Sequence, residues 1–141
     1  MDIEYKNDRV DVPWKEVSSI FDRVGWGPRS PEQVESAFKK SSFVRFAYVE
    51  NMLVGFGRTV DDGYYYGWVV DLVVLPEYQG FGIGKHLLKE LENDLSSFIT
   101  TMLVATEGRG GFYESQGWFK QRSAYIYPRS ERQIDVFSER R

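Results

Sequence analysis

Apolar residues fall in two rhythms along this chain, and the switches between them predict the order of its elements. Ile3 and Tyr5 alternate with polar neighbours, as in a short strand. Pro13 suits the first residue of a helix, and Val17, Ile20, Phe21 and Val24 then recur at helical spacing until Gly25. Ser30 reads as the cap of a second helix, with Pro31 in its first turn, Gln33 at the capping-box position, and Val34 and Phe38 on its apolar face. Strands follow over Phe43–Val49 and Leu53–Val60, joined by the tight Glu50-Asn51 turn, and Asp61-Asp-Gly63 marks a second hairpin. A fourth strand runs from Tyr64 to Leu75. Helix three begins near Gly82 and carries Ile83, Leu87, Leu88, Leu91 and Leu95 on one face. Ile99–Ala105 reads as a buried strand, Gly110–Gln116 as a short helix stopped by Gly117, and Trp118–Gln121 and Ser123–Tyr127 as two last strands. The order is α+β: mostly antiparallel strands, with one parallel crossover through helix three.

Composition narrows the class. A chain of 141 residues with 42% hydrophobic content is one globular domain with a real core, expected over residues 1–128, and residues 129–141 read as a charged tail outside it. A net charge of −3 argues against nucleic acid or an anionic membrane as partner. The absence of cysteine removes disulfides, thiolate nucleophiles and cysteine metal sites, and a single histidine makes zinc improbable, so no metal is expected. Met1-Asp-Ile-Glu-Tyr5 has neither a basic nor an apolar run, and no stretch approaches the ~20 apolar residues of a membrane span. The expectation is a cytoplasmic protein.

The chemistry concentrates in Asp71-Leu-Val-Val-Leu-Pro-Glu-Tyr-Gln-Gly-Phe-Gly-Ile-Gly-Lys85, a strand, a turn, a glycine-dense loop and a helix start. Such a loop points backbone N–H groups at one spot beside the positive end of a helix dipole, and pyrophosphate is its natural occupant. Gly80, Gly82 and Gly84 leave room for close approach and allow positive φ. A Rossmann fingerprint fails at Lys85, where its next glycine would be displaced, and a Walker loop fails at Gln79 and His86. What remains is Gln79-x-x-Gly82-x-Gly84 after a Val/Leu strand ending at Pro76.

With Phe112-Tyr113-Glu-Ser-Gln-Gly-Trp118 downstream, this loop and the element order resemble the GNAT superfamily of N-acetyltransferases, over about residues 40 to 127. Val24-Gly-Trp26 and Tyr125-Ile-Tyr-Pro-Arg129 are similar to a narrower branch, the plant and cyanobacterial serotonin-type enzymes. The resemblance implies a mixed, mostly antiparallel sheet of about six to seven strands, flanked by helices on both faces. It also implies a splayed fourth and fifth strand, with the pantetheine arm of acetyl-CoA in the gap. Leu72, Val73 and Val74 would offer backbone groups to the acetyl and pantetheine portions, and Val74 N–H would polarise the thioester. Gln79, Gly80, Phe81, Gly82, Ile83, Gly84 and Lys85 would hold the pyrophosphate.

Tyr113 matches the tyrosine that protonates the leaving thiolate, a role suited to a phenol of pKa ~10 against a thiol of ~8.5. The competing reading is an aromatic packed beside Phe112. Asp71 lies inside an apolar strand, where alternation places it with Val69 and Val73, opposite Leu72 and Val74. It is the base for the amine, directly or through water, a site that binds a cationic amine, or a buried structural carboxylate that hydrogen-bonds a neighbouring loop. Glu107 is a second base candidate, at a position where relatives often have Asn, and Arg109 in the unusual Gly108–Gly111 run is a candidate phosphate contact. His86 suits a solvated or capping role, and Lys85 either a phosphate contact or an exposed helix position. Trp26, Trp68, Tyr64, Tyr65, Tyr66, Tyr125 and Tyr127 either line an amine pocket or fill the core. The resemblance implies acetyl transfer, read here as going to a small-molecule amine in a ternary complex, and it allows a homodimer. The alternatives are a peptide or protein amine as acceptor, a non-catalytic coenzyme-A sensor, and an interaction module.

Overall fold

Both residues of the Glu50-Asn51 turn adopt positive φ, 50° and 64°, the handedness that matches the twist of flanking strands. That turn joins β2 (Val44–Val49) to β3 (Met52–Asp61) at the centre of the computed structural model, which describes residues 1–139. β1 (Ile3–Lys6) pairs antiparallel with β2, and β4 (Tyr66–Val74) antiparallel with β3. β5 (Thr100–Leu103) lies parallel to β4, so the sheet runs β1-β2-β3-β4-β5. Asp62 fixes the β3–β4 hairpin by accepting the N–H groups of Tyr64, Tyr65 and Tyr66, which hold its carboxyl below the usual range.

Helices α1 (Trp14–Arg23) and α2 (Pro31–Lys40) cover one face. Phe21 meets Phe56 at 5.2 Å between ring centroids, and Phe38 meets Phe46 at 5.6 Å. Pro13 caps α1 rather than opening it, while Ser30 caps α2 as expected, its hydroxyl accepting Gln33 N–H at 3.1 Å. α3 (Ile83–Asp94) covers the other face. It sits close because the sheet is bare there: a Cβ on Gly57 would lie 2.9 Å from a Leu91 methyl, and one on Gly67 2.6 Å from a Leu95 methyl. Arg45 ties α3 to β2 through Glu90 at 2.9 Å and Asp94 at 2.7 Å.

The chain packs as two compact units, Met1–Leu103 and a second that begins at Val104. The second contains α4 (Gly110–Ser115) and α5 (Glu131–Phe137). The sheet has five strands among the described residues, not six to seven. The strands expected at Trp118–Gln121 and Ser123–Tyr127 are irregular. A hairpin alone is marginal in water, and Phe119, Tyr125 and Tyr127 are all largely exposed, so no buried apolar face supports a ladder there. The expected tail carries α5, started by Ser130 accepting from Gln133 N–H at 3.1 Å; residues 140 and 141 lie outside the described residues.

Candidate active site

The β3–β4 ladder breaks register between Phe56 and Arg58: Phe56 opposes Val73, but Arg58 opposes Val70. One residue of β3 therefore faces two of β4, Asp71 and Leu72, in a bulge whose extra residue is Asp71 at φ 54°. The bulge corrects the simple alternation. Val69 opposes Thr59 on the α3 face, whereas Asp71 stays with Arg58 and Val73 on the α1–α2 face. Leu72 lies over Gly57 on the α3 side, where Leu91 packs.

Asp71 is half-buried with both oxygens engaged. Oδ2 accepts from Arg58 Nε at 2.7 Å, and Oδ1 from Arg29 Nη1 at 3.3 Å. Of the roles open from the sequence, these two contacts fit the structural carboxylate, since each oxygen already accepts one guanidinium proton. Arg58 also donates to the Ser41 hydroxyl at 3.2 Å. The Arg29 guanidinium rests 4.0 Å over the Phe21 ring, and its carbonyl accepts from Ser18. Around these groups opens a cleft of about 190 Å³, with Phe21, Val34, Ala37 and Phe38 as its apolar wall and Arg29, Gln33 and Asp71 as its polar one. Arg29 and Arg58 were not among the residues singled out from sequence. A carboxylate inside an apolar strand signals that a cation must be near, but nothing in the local sequence says which.

Two residues before Asp71 the parallel ladder ends, its last pair being Val69 with Leu103. Val70–Val74 thus keep a ladder on the β3 side only. Val73 is buried and Val74 lies beside Gly55, so their side chains belong to packing and only their backbone is available for chemistry. A 3-10 turn over Pro76–Tyr78 then leads to the glycine loop, and the Gln79 side-chain amide folds back to donate to the Val74 carbonyl at 3.0 Å. Gln79 therefore braces the loop.

Gly80 and Gly82 take φ of 86° and 82°, and Gly82 caps α3 with no side chain on the free N–H groups. Nothing lies within 4 Å of where a Cβ on either would stand, so the loop is open to an approaching anion. This fits a pyrophosphate: uncapped helix amides, a positive dipole end and clear access. Ile83 is buried and can contribute only its N–H, whereas Phe81 and Lys85 are exposed at the loop. Gly84 lies within the first turn of α3. His86 stacks on Tyr5 at 3.7 Å and contacts Glu90. Arg23 pairs with Glu77 in the 3-10 turn, tying α1 to the approach of the loop.

In the second unit, Tyr113 lies in α4 with its ring edge-on to Phe112 at 5.1 Å. Burial pushes its phenol above the ordinary value and the nearby Arg109 charge pulls it partly back, so the group stays protonated. Gly117 ends the helix at φ 92°, where the Trp118 N–H returns to the Tyr113 carbonyl at 3.1 Å. Glu107 and Arg109 are exposed in the preceding turn. Of the expected aromatics, Tyr64, Tyr65 and Tyr66 are exposed on the β3–β4 hairpin, and Trp26 packs its ring 5.7 Å from Phe21. Among the described residues no group of acidic or histidine side chains is arranged to hold a metal. No described helix is long and apolar enough to cross a membrane.

The acetyltransferase (GNAT) domain family matches residues 40–119. An N-acetyltransferase, ycf52, of Porphyra purpurea is 29% identical over 135 residues, covering 89% of this chain and 78% of its own. A chloroplastic protein of rice named serotonin N-acetyltransferase 2 is 30% identical over 108 residues, 72% of this chain and 54% of that one. Among solved structures, a GNAT-family acetyltransferase of Streptococcus pneumoniae superposes with a TM-score of 0.76 at 29% identity, covering 92% of this chain and all of that one.

Proposed function

The chain belongs to the GNAT acetyltransferase family, and on that premise we propose that it transfers acetyl from acetyl-CoA directly to the primary amine of a small molecule. The observation that carries this reading is the glycine loop, positive in φ at Gly80 and Gly82 and open in front. It opens α3 just after a strand half that has lost its parallel partner. The pyrophosphate would lie on the N–H groups of Gln79 to Lys85, and the pantetheine arm along the backbone of Leu72, Val73 and Val74.

The amine nitrogen attacks the thioester carbon. The carbonyl oxygen gains charge as the tetrahedral centre forms, and Val74 N–H is the donor assigned to it, a contribution of about 2.7–4 kcal/mol in comparable sites. Collapse breaks the C–S bond, and the Tyr113 phenol gives its proton to the sulfur. With both Asp71 oxygens on guanidinium groups, the ammonium proton leaves to water, and Asp71 holds the two arginines at the cleft. No cysteine is present to carry the acetyl group, which favours direct transfer over an acyl-cysteine route.

The test is coenzyme A thiol release from acetyl-CoA across arylalkylamines, polyamines, amino acids and short peptides. Tyr113→Phe is expected to lower kcat by about 10²-fold with acetyl-CoA affinity retained. A wild-type rate independent of added amine would defeat the proposal. Turnover only with peptides would move the acceptor to a protein amine, and acetyl-CoA binding without turnover on any acceptor would indicate a sensor domain.

A further inference from the structure

The carboxylate of Asp71, which lines the cleft together with Arg29, is shared between Arg29 and the inner Arg58. Two guanidinium groups face one carboxylate there, and they are not held alike. Arg58 is the inner partner, with its side chain 17% exposed and a 2.7 Å bond. Arg29 is the outer one, 38% exposed, at 3.3 Å from Asp71. Its guanidinium is positioned by the Phe21 face and its backbone by Ser18, so it is preorganised without being saturated. A guanidinium has five donors in a planar fork that matches carboxylate and phosphate oxygens, and only one of the Arg29 donors is used on Asp71 among the described residues. Gln33, in the first turn of α2, adds a side-chain amide to the same wall. Phe21, under the guanidinium, and Val34, Ala37 and Phe38 supply the apolar lining.

Asp71 is already shared by two guanidinium groups, so the spare donors that face the cleft are those of Arg29. From this we infer that the acceptor bears an anionic group, a carboxylate or a phosphate, bound by Arg29 at the mouth of the cleft while its short hydrocarbon portion lies on the apolar wall. The cleft, about 190 Å³ in volume, has room for the anionic end and short hydrocarbon portion of a small acceptor. This inference rests on the acetyltransferase reading for the word acceptor, and on the cleft alone for the anion.

Matched amines separate the two. Thiol release from acetyl-CoA is compared for β-alanine against propylamine, and for O-phosphoethanolamine against ethanolamine. In at least one pair the anionic member should show kcat/KM about tenfold or more above its neutral partner, as expected of a charge-assisted bond. The favoured pair distinguishes carboxylate from phosphate. Arg29→Gln should bring that ratio near one, and Arg29→Lys should restore part of it. Ratios at or below one in both pairs, or a ratio that Arg29→Gln leaves unchanged, would overturn the inference.

The subsite also has a readout without turnover. With coenzyme A present to occupy the glycine loop, sodium phosphate or sodium acetate should raise the melting temperature above chloride of equal ionic strength. Arg29→Gln should lose that increment; no increment in the wild type, or an equal one in the variant, counts against the anion subsite. Coenzyme A alone raising the melting temperature tests the cofactor reading separately, so either idea can fail while the other stands.

Discussion

At φ 54° Asp71 occupies backbone space that most residues with a Cβ avoid, although aspartate tolerates it better than most. The conformation turns its carboxylate onto Arg58 and Arg29 instead of continuing the pleat. Asp71→Asn keeps the backbone preference and removes the charge, so it should lower unfolding free energy by about 2 kcal/mol in urea denaturation. It should leave the acid limb of the kcat pH profile in place; loss of that limb would restore Asp71 as the base. Tyr113 makes the opposite kind of statement. Its phenol is raised by burial, so the neutral, proton-donating form persists past pH 10. Below that pH kcat should show no decline that Tyr113→Phe removes. The sequence made Asp71 and Tyr113 visible because each is chemically out of place or inside a motif. Arg29 and Arg58 stayed hidden because arginines are common and their partner lies 42 and 13 residues away.

Helix α3 shows what periodicity can and cannot convey. Its apolar face was legible from Ile83 to Leu95, and the loop before it from three glycines. The surface that receives it was not, because a glycine inside a strand does not say what approaches it, and at Gly55, Gly57 and Gly67 the approaching groups include leucines of the α3 segment. The three glycines are the groove. Gly57→Val would push its branched carbons into Leu91 and Leu72, already 2.9 and 3.2 Å from a bare Cβ position. Destabilisation of about 1–3 kcal/mol is expected, read as a lower melting temperature. Because α3 carries the glycine loop, coenzyme A affinity should fall along with it. Gly63, exposed and with nothing near its Cβ position, provides the contrast only in space, since its φ of 84° still favours glycine. The last two predicted strands failed for a related reason: alternation in Ser123–Tyr127 is real in the sequence, but a strand needs a neighbour and a face to bury.

Across the sheet, aromatic rings pack under α1 and α2, while α3 adds ion pairs at its flank to the leucines it seats on the glycines. Burial alone would raise the Glu90 carboxyl, but Arg45 and His86 outweigh it and hold the group below its ordinary value. A carboxyl depressed on folding stabilises fully above about pH 4.5 and loses that contribution as pH falls through its folded value. Acid denaturation should therefore soften below pH 4.5, and Glu90→Gln should flatten the slope by removing one proton from the transition; an unchanged slope would dismiss the Arg45 tether. Element order and the parallel crossover were readable in advance, since both follow from local pattern and connection length. The five-strand limit was not, since it depends on pairing that no local pattern encodes. The bulge in β4 has a last consequence. Val69-Val-Asp-Leu-Val-Val74 is the kind of segment that, if flat and unpaired along one side, invites a strand from another molecule. The extra residue bends that edge away from the flat geometry such pairing needs, so the irregularity that shapes the cleft also makes the open half of β4 a poorer template for a foreign strand.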